Sequence, residues 1–252
     1  VKVSVITCCW NSEPYIAQCI ASVQAQQGVE IEHVFVDGGS TDGTLERIQA
    51  MPGNSEGRVR WVTDVRGGIS NAMNVGARLA TGELIAHLHG DDYYLGTQAV
   101  SRAVAAMQSA QRRWAYGRIV SDIDGRLVPD NWAMPRWSPG RLLRGNFIGH
   151  PSVFMERSLF EQSGGFDIGL KYAMDYDLWL RLAQVAEPTY LGYDVAAFRR
   201  HAGSLSTAQA DKAFVEDHAV RRKYVGRNPL AWAFHELIYQ RRCLRRATAN
   251  AK

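Results

Sequence analysis

The 252-residue sequence has no apolar run long enough to cross a bilayer, so no segment is expected to span a membrane. It has no Lys/Arg-led apolar leader, so export is not expected. It has only four cysteines, Cys8, Cys9, Cys19 and Cys243, and none falls in a Cys-x-x-Cys pair or a zinc-ligand cluster. Reduced, mostly buried thiols in a cytosolic protein are expected instead. No G-x-G-x-x-G follows an apolar strand, which disfavours a dinucleotide-dependent oxidoreductase. Thr7-Cys8-Cys9-Trp10-Asn11 is not the basic glycine-rich loop that nucleotidyl transfer would need. There is no internal repeat and no low-complexity segment. With 46% hydrophobic and 21% charged residues, disordered, collagen-like and coiled-coil classes are excluded.

Acidic residues are scarce at one end. Residues 219–252 carry nine basic side chains and a single acid, Glu236, whereas the other 218 residues hold 20 basic and 24 acidic groups. A basic tail on a mildly acidic body argues against a nucleic-acid binder. It suggests that one end meets an anionic surface.

What is present is a regular alternation over the first 120 residues. Residues 3–7, rich in β-branched side chains, read as a strand. Asn11-Ser12-Glu13-Pro14 reads as a helix start, followed by Ile16, Ile20 and Val23 at helical spacing. Residues 31–36 form the second strand, and Asp37-Gly38-Gly39-Ser40-Thr41-Asp42-Gly43 is a glycine-rich turn into a short helix. Strands at 59–62, 84–88 and 114–120 and helices at 70–80 and 97–109 complete the pattern. It predicts a mainly parallel sheet covered on both faces, with ligands beyond the carboxyl ends of the strands.

Beyond residue 121 the alternation stops. Asp124-Gly125 predicts a hairpin turn, residues 128–140 a proline-rich loop, 150–155 a strand, and 173–184 a helix with Leu178, Leu182 and Val185 on one face. Residues 229–246 read as a helix with Leu230, Phe234, Leu237, Ile238 and Leu244 on one face and Arg241 and Arg245 near it. Such a helix suits an anionic membrane surface; packing on the domain or on a dimer partner is the alternative.

The polar groups gather at the carboxyl ends of the strands: Thr7 with Asn11, then Asp37, Asp64, and Asp91 with Asp92. Four or five carboxylates at one sheet edge repel one another. They need a positive partner, most simply a divalent cation with oxygen ligands. The residues alone leave open the alternative of turns whose aspartates accept backbone amides.

In order and spacing the chain resembles the inverting glycosyltransferases of family 2, which have the GT-A fold. The resemblance runs from Val3 to about Ser206. It is carried by Val5-Ile6-Thr7 with Asn11, the run from Val34 to Thr44, Asp64 with Gly68-Ile69, Ala72-Met73-Asn74-Val75-Gly76 and Ala80-Thr81-Gly82-Glu83. Asp91-Asp92, Gly164-Gly165-Phe166-Asp167, the run from Asp175 to Leu182, and Phe198-Arg199-Arg200-His201 with Ser204 follow. The Asp-Gly-Gly-Ser and Ala-Met-Asn variants resemble members that build bacterial polysaccharides.

The resemblance implies a Rossmann-like, mostly parallel α/β sheet flanked by helices, with a C-terminal helical extension. It implies a nucleotide-sugar-binding half at 1–120, an acceptor-side half of the same domain at 121–210 and a basic helical extension at 211–252. The donor would be a nucleotide diphosphate sugar, a UDP-sugar first. Asp37 would meet the base, with Thr7 beside it; Asp64 and Asp91 would lie near base or ribose, and Asn11 and Asn74 on the same side. Asp92 and His201 would hold Mn2+ or Mg2+. Asp175 would be the base that takes the acceptor hydroxyl's proton; capping its helix is the alternative role. His150 stands where relatives line the acceptor side, and Trp132 and Trp137 would stack on an acceptor sugar or anchor their loop. The acceptor would be a glycan or a lipid-linked molecule, handled in the cytoplasm and, if the tail binds there, at the inner face of the cell membrane.

Three departures stand out. His89 replaces the first acid of Asp-x-Asp-Asp, Met174 replaces a glutamate before the base, and Gly38 replaces a second acid. They raise a second expectation, a catalytically silent sugar-nucleotide-binding subunit of a polysaccharide assembly complex.

Overall fold

In a computed structural model, the chain is described apart from residues 53–56, 131–134, 202, 205–208, 227–228 and 251–252, and the side chains of 245–250. The expected strands β1 (Lys2–Cys9), β2 (Glu30–Asp37), β3 (Val59–Val62) and β4 (Leu84–His87) lie parallel, in the spatial order β3-β2-β1-β4. Their connections hold α1 (Glu13–Gln24), α2 (Thr44–Gln49) and α3 (Gly68–Leu79). The alternation of side chains along β1 serves two cores. Ile6 and Cys8 join Val34 and Val36 on one face, while Val3, Val5 and Cys9 join Phe35 on the other. The neighbouring cysteines therefore point opposite ways, and all four cysteines are free thiols. Helix α3 lies close to the sheet because Gly76 has no side chain; a Cβ there would sit 2.3 Å from Ile6 Cγ2.

After β5 (Tyr93–Tyr94) and α4 (Ala99–Ala110), β6 (Trp114–Ile123) folds back into β7 (Arg126–Pro129). Asp124 and Gly125 both have positive φ, 52° and 82°, the conformation that a two-residue hairpin turn requires. The rest of the chain forms α5 (Pro139–Leu142), a 3-10 turn at His150–Ser152, β8 (Val153–Glu156), α6 (Arg157–Gln162), α7 (Met174–Val185), β9 (Thr189–Arg199), α8 (Ala210–Tyr224) and α9 (Pro229–Asn250). The sheet continues beyond β4 as β8-β6-β9-β5. β8 runs antiparallel to β4 and β6, β9 parallel to β6, and β5 antiparallel to β9. Because β6 runs through residue 120, one sheet carries both expected halves.

Several details differ from the sequence reading. The strand expected from residue 150 starts at Val153, because Pro151 has no N–H for a ladder and a 3-10 turn precedes it. Val185 is 68% exposed, on the last turn of α7. Ser12 does not cap α1 through its side chain. The cap comes instead from Asp42, which accepts the Glu13 N–H at 3.0 Å and, through its other oxygen, the Thr44 N–H at 3.0 Å. β9 is the largest omission. Its alternation is broken at Gly192 (φ 70°), beside register shifts against β6, so no clean period of two shows in the sequence.

Helix α9 packs through Tyr239, which stacks on His218 at 3.7 Å and Phe214 at 5.2 Å. Leu230, Phe234, Leu237 and Leu244 point outward and are more than half exposed. Among the described residues no helix is long and apolar enough to cross a membrane.

Candidate active site

Four carboxylates collect at the carboxyl ends of β2, β3 and β4. Asp37 ends β2 and is fully buried. It accepts the N–H groups of Gly39 (2.9 Å) and Ser40 (3.0 Å), the Thr63 hydroxyl (2.8 Å) and the Ser40 hydroxyl. Burial pushes this carboxyl up, but the bonds from Ser40, Thr63 and Gly39 prevail and hold it below its ordinary range. Asp37 thus shapes the turn that follows it as well as standing at the strand end. Asp64, in the left-handed region at φ 58°, pairs with Arg66 above Gly39, where a Cβ would meet both side chains. Asn11, also left-handed at φ 48°, accepts the Thr41 N–H at 2.9 Å and so ties the two loops at this edge together.

Trp10 was not singled out from the sequence. Its indole is 66% exposed and lies against Gly38. An aromatic placed just past an apolar strand was the available signal.

Two expected donor-side residues lie beneath this surface. Thr7 is fully buried, with its hydroxyl 2.9 Å from His33 Nε2. Asn74 uses both ends of its amide on the backbone of Phe166, donating to the carbonyl at 2.8 Å and accepting the N–H at 2.9 Å. It ties α3 to the Gly164-Gly165-Phe166 loop.

β9 brings distant groups to the acids. Arg199, its last residue, donates its N–H to Asp92 Oδ1 at 3.0 Å. Two residues on, His201 Nε2 lies 2.9 Å from Asp91 Oδ2, with its ring 4.6 Å from that of Tyr15. Asp92 is 1% exposed, and its Oδ2 is buried without a partner. Burial, reinforced by the charge of Asp91, pushes the Asp92 carboxyl well above the carboxylate range. An unpartnered buried carboxylate oxygen is costly unless a cation meets it. That oxygen fits a divalent ion. Among the described residues, no three His, Cys, Asp or Glu side chains gather closely enough to hold an ion by themselves. Such a site suits an ion that takes its other ligands from phosphate and water.

A series of rings leads from this edge to α7. His89 stacks on His150 at 4.8 Å, His150 lies 5.9 Å from His87, and His150 lies 6.2 Å from Trp179. Burial holds His87 down to about 3 and His150 well below the imidazole range, so both rings are neutral. Trp179 is one turn beyond Asp175 on α7. Asp175 Oδ1 accepts the Tyr176 N–H at 2.6 Å and Oδ2 accepts Asn146 Nδ2 at 3.3 Å. Its carboxyl is pushed up to about 6 by burial. Asp175 is not the N-cap, a place taken by Ala173, although it satisfies one first-turn amide. Trp137 packs on Trp114 at 5.8 Å and Phe147 at 6.5 Å, anchoring its loop to the core. Trp132 lies outside the described residues.

The model of the family Glycosyl transferase family 2 matches residues 4–158. The chondroitin synthase of Pasteurella multocida is 31% identical over 192 residues, which are 75% of this chain and 20% of that protein. The fold superposes on S. aureus TarS 1-349 in complex with UDP-GlcNAc with a TM-score of 0.72 at 20% identity, covering 95% of this chain and 70% of that one. On a mannosyltransferase from Pyrobaculum calidifontis, in complex with GDP-Man and Mn2+, the TM-score is 0.68 at 19% identity, covering 94% and 68%.

Proposed function

The chain belongs to glycosyl transferase family 2 and has the GT-A fold, and from that membership we propose a metal-dependent transfer of a sugar from a nucleotide diphosphate to a hydroxyl, with inversion. The observation that carries this reading is Asp92: a carboxylate placed at the strand ends with one oxygen bonded to Arg199 and the other buried and free. Asp92 would hold Mn2+ or Mg2+, and His201, fixed by Asp91, would stand beside it. When bound, the cation neutralises the diphosphate as it leaves. UDP-sugars are the first donors to test and GDP-sugars the second, because a UDP-GlcNAc complex and a GDP-Man complex share this fold.

Residues 1–120 would bind the nucleotide. Asp37 and Asp64 edge its base side, the exposed Trp10 offers a flat face, and Asn11 fixes the loops between them. Residues 121–210 would bind the acceptor near His150. Asp175 would take the proton from the acceptor hydroxyl as its oxygen forms a bond to the anomeric carbon. The bond to the diphosphate breaks on the opposite face, so one displacement inverts the centre. Burial suits Asp175 to this task, because a carboxyl lifted to about 6 binds a proton more strongly than an ordinary one.

The acceptor would be a glycan or a lipid-linked molecule, handled in the cytoplasm. The outward leucines of α9 with Arg241 among them would rest on an anionic membrane. A thermal-shift panel of nucleotide sugars, with and without Mn2+, tests the reading. It fails if no nucleotide sugar stabilises the protein when Mn2+ is present. The silent-subunit reading draws on Met174, which is buried where an acid would stand. Transfer or donor hydrolysis by the wild-type chain would exclude it.

A further inference from the structure

The start of α7 carries the proposed base, and a helix start leaves four N–H groups without carbonyl partners. A Ser, Thr, Asp or Asn before the helix usually answers this. Here Ala173 occupies that place and has no polar side chain. Asp175 itself meets the Tyr176 N–H, and the amides that lead up to the helix, the last of them that of Ala173, are met from α8. The carboxylate of Glu216 accepts the N–H of Ala173 at 2.7 Å and of Tyr172 at 2.5 Å through Oε2, and that of Lys171 at 3.1 and 3.2 Å through both oxygens. One side chain binds three successive amides entering the helix. Its negative charge stands at the positive end of the α7 dipole.

Helix α8 also steadies the other side of Asp175. Arg221 donates to the Arg144 carbonyl at 2.9 Å, and Tyr176 of α7 donates its hydroxyl to the Leu142 carbonyl at 2.6 Å. These bonds hold the segment that leads to Asn146, whose amide reaches Asp175. Asp175 is therefore clamped between a helix end tied to α8 and a loop tied to α8.

We propose that Glu216 is a positioning residue for Asp175, fixing where the carboxylate meets the acceptor hydroxyl. The claim rests on the reading of Asp175 as the base. Misplacing a reacting group by about 1 Å costs on the order of 10²-fold in rate.

The test compares the full chain as wild type, Glu216→Gln and Glu216→Ala, by transfer kinetics and by amide hydrogen exchange. Glutamine keeps an acceptor oxygen of the same reach without the charge; alanine keeps neither. The Lys171, Tyr172 and Ala173 amides are expected to exchange faster in Glu216→Ala than in Glu216→Gln, and slowest in wild type. The alanine variant is expected to lose on the order of 10²-fold in kcat, the glutamine variant less, with donor KM unchanged in both. Wild-type kcat in Glu216→Ala despite faster exchange would overturn the proposal, as would a donor KM that rises in step with the loss of kcat. If Glu216→Ala does not fold, the glutamine variant decides, and unchanged kcat with faster exchange overturns the claim. A wild-type chain that transfers no sugar overturns the proposed function itself, whatever the exchange data show.

Discussion

His201 Nε2 lies 2.9 Å from Asp91 Oδ2, a contact across 110 residues of chain. It fixes the imidazole beside Asp91 and against Tyr15. A held ring is a better ligand, or a better support for one, than a solvated ring. His201→Ala is therefore expected to raise the Mn2+ concentration needed for half-maximal transfer by about 10–100-fold, with the melting temperature unchanged. A Mn2+ titration of activity checks this.

Asp92→Asn should abolish Mn2+-dependent donor binding. The amide oxygen can still accept the Arg199 N–H, so the fold should survive. Removing a buried carboxyl that lacks a second partner should leave thermal stability without metal equal to or above wild type. Thermal shifts with UDP, with and without Mn2+, measure both effects.

Asp175 must be ionised to accept a proton. Its carboxyl is pushed up to about 6, and Asp217, lifted to about 7 by burial and by Asp175, shares its surroundings with Asn146, Glu216, Arg221 and Arg242. Turnover is expected to rise with pH through about 6 and to fall about tenfold per unit on the acid side. The same shift acts on folding with the opposite sign. A folded carboxyl that binds its proton more tightly than the unfolded one favours the fold at low pH, and that contribution is lost as pH rises from 3.8 to about 6. Asp175→Asn should retain donor binding, lose transfer, and remove this slope from pH-dependent urea melts.

Gly76→Ala should destabilise the fold by about 1–3 kcal/mol, the usual cost of overpacking. The new methyl would lie 2.3 Å from Ile6 Cγ2, and α3 would have to move off β1. Urea denaturation gives the number.

Leu230→Ser combined with Leu237→Ser and Leu244→Ser should abolish co-sedimentation with phosphatidylglycerol vesicles while leaving transfer to a soluble acceptor intact. All three side chains are more than half exposed, so serine at these positions is expected to leave the fold in place. Equal sedimentation of variant and wild type would remove the membrane from the reading.

The parallel half of the sheet was legible because β1, β2 and β4 are buried on both faces and punctuated by glycine and acidic turns. The acids at its edge were legible for the same reason: each ends or follows an apolar strand. The partners of those acids were not. Arg199 and His201 reach Asp92 and Asp91 only because β9 lies between β6 and β5, and the bulge at Gly192 hides that strand from a search for alternation. Glu216 left no mark either, since a carboxylate that reaches the loop before α7 from another helix has no local spacing. Thr7 and Asn74 show the converse. Both hold a place in a motif, and both turn polar atoms to neighbouring parts of the fold.

The place of β9 also bears on how the chain is made. Both of its partners leave the ribosome well before it does, since β5 ends at Tyr94 and β6 at Ile123, while β9 begins only at Thr189. Until it arrives, the nascent sheet stops at β6 with a bare row of backbone groups along one side, the kind of edge on which growing chains stick to one another. The strand that delivers His201 to the acids is thus also the one that covers the open side of β6, so assembly of the site and covering of that side come in a single late step.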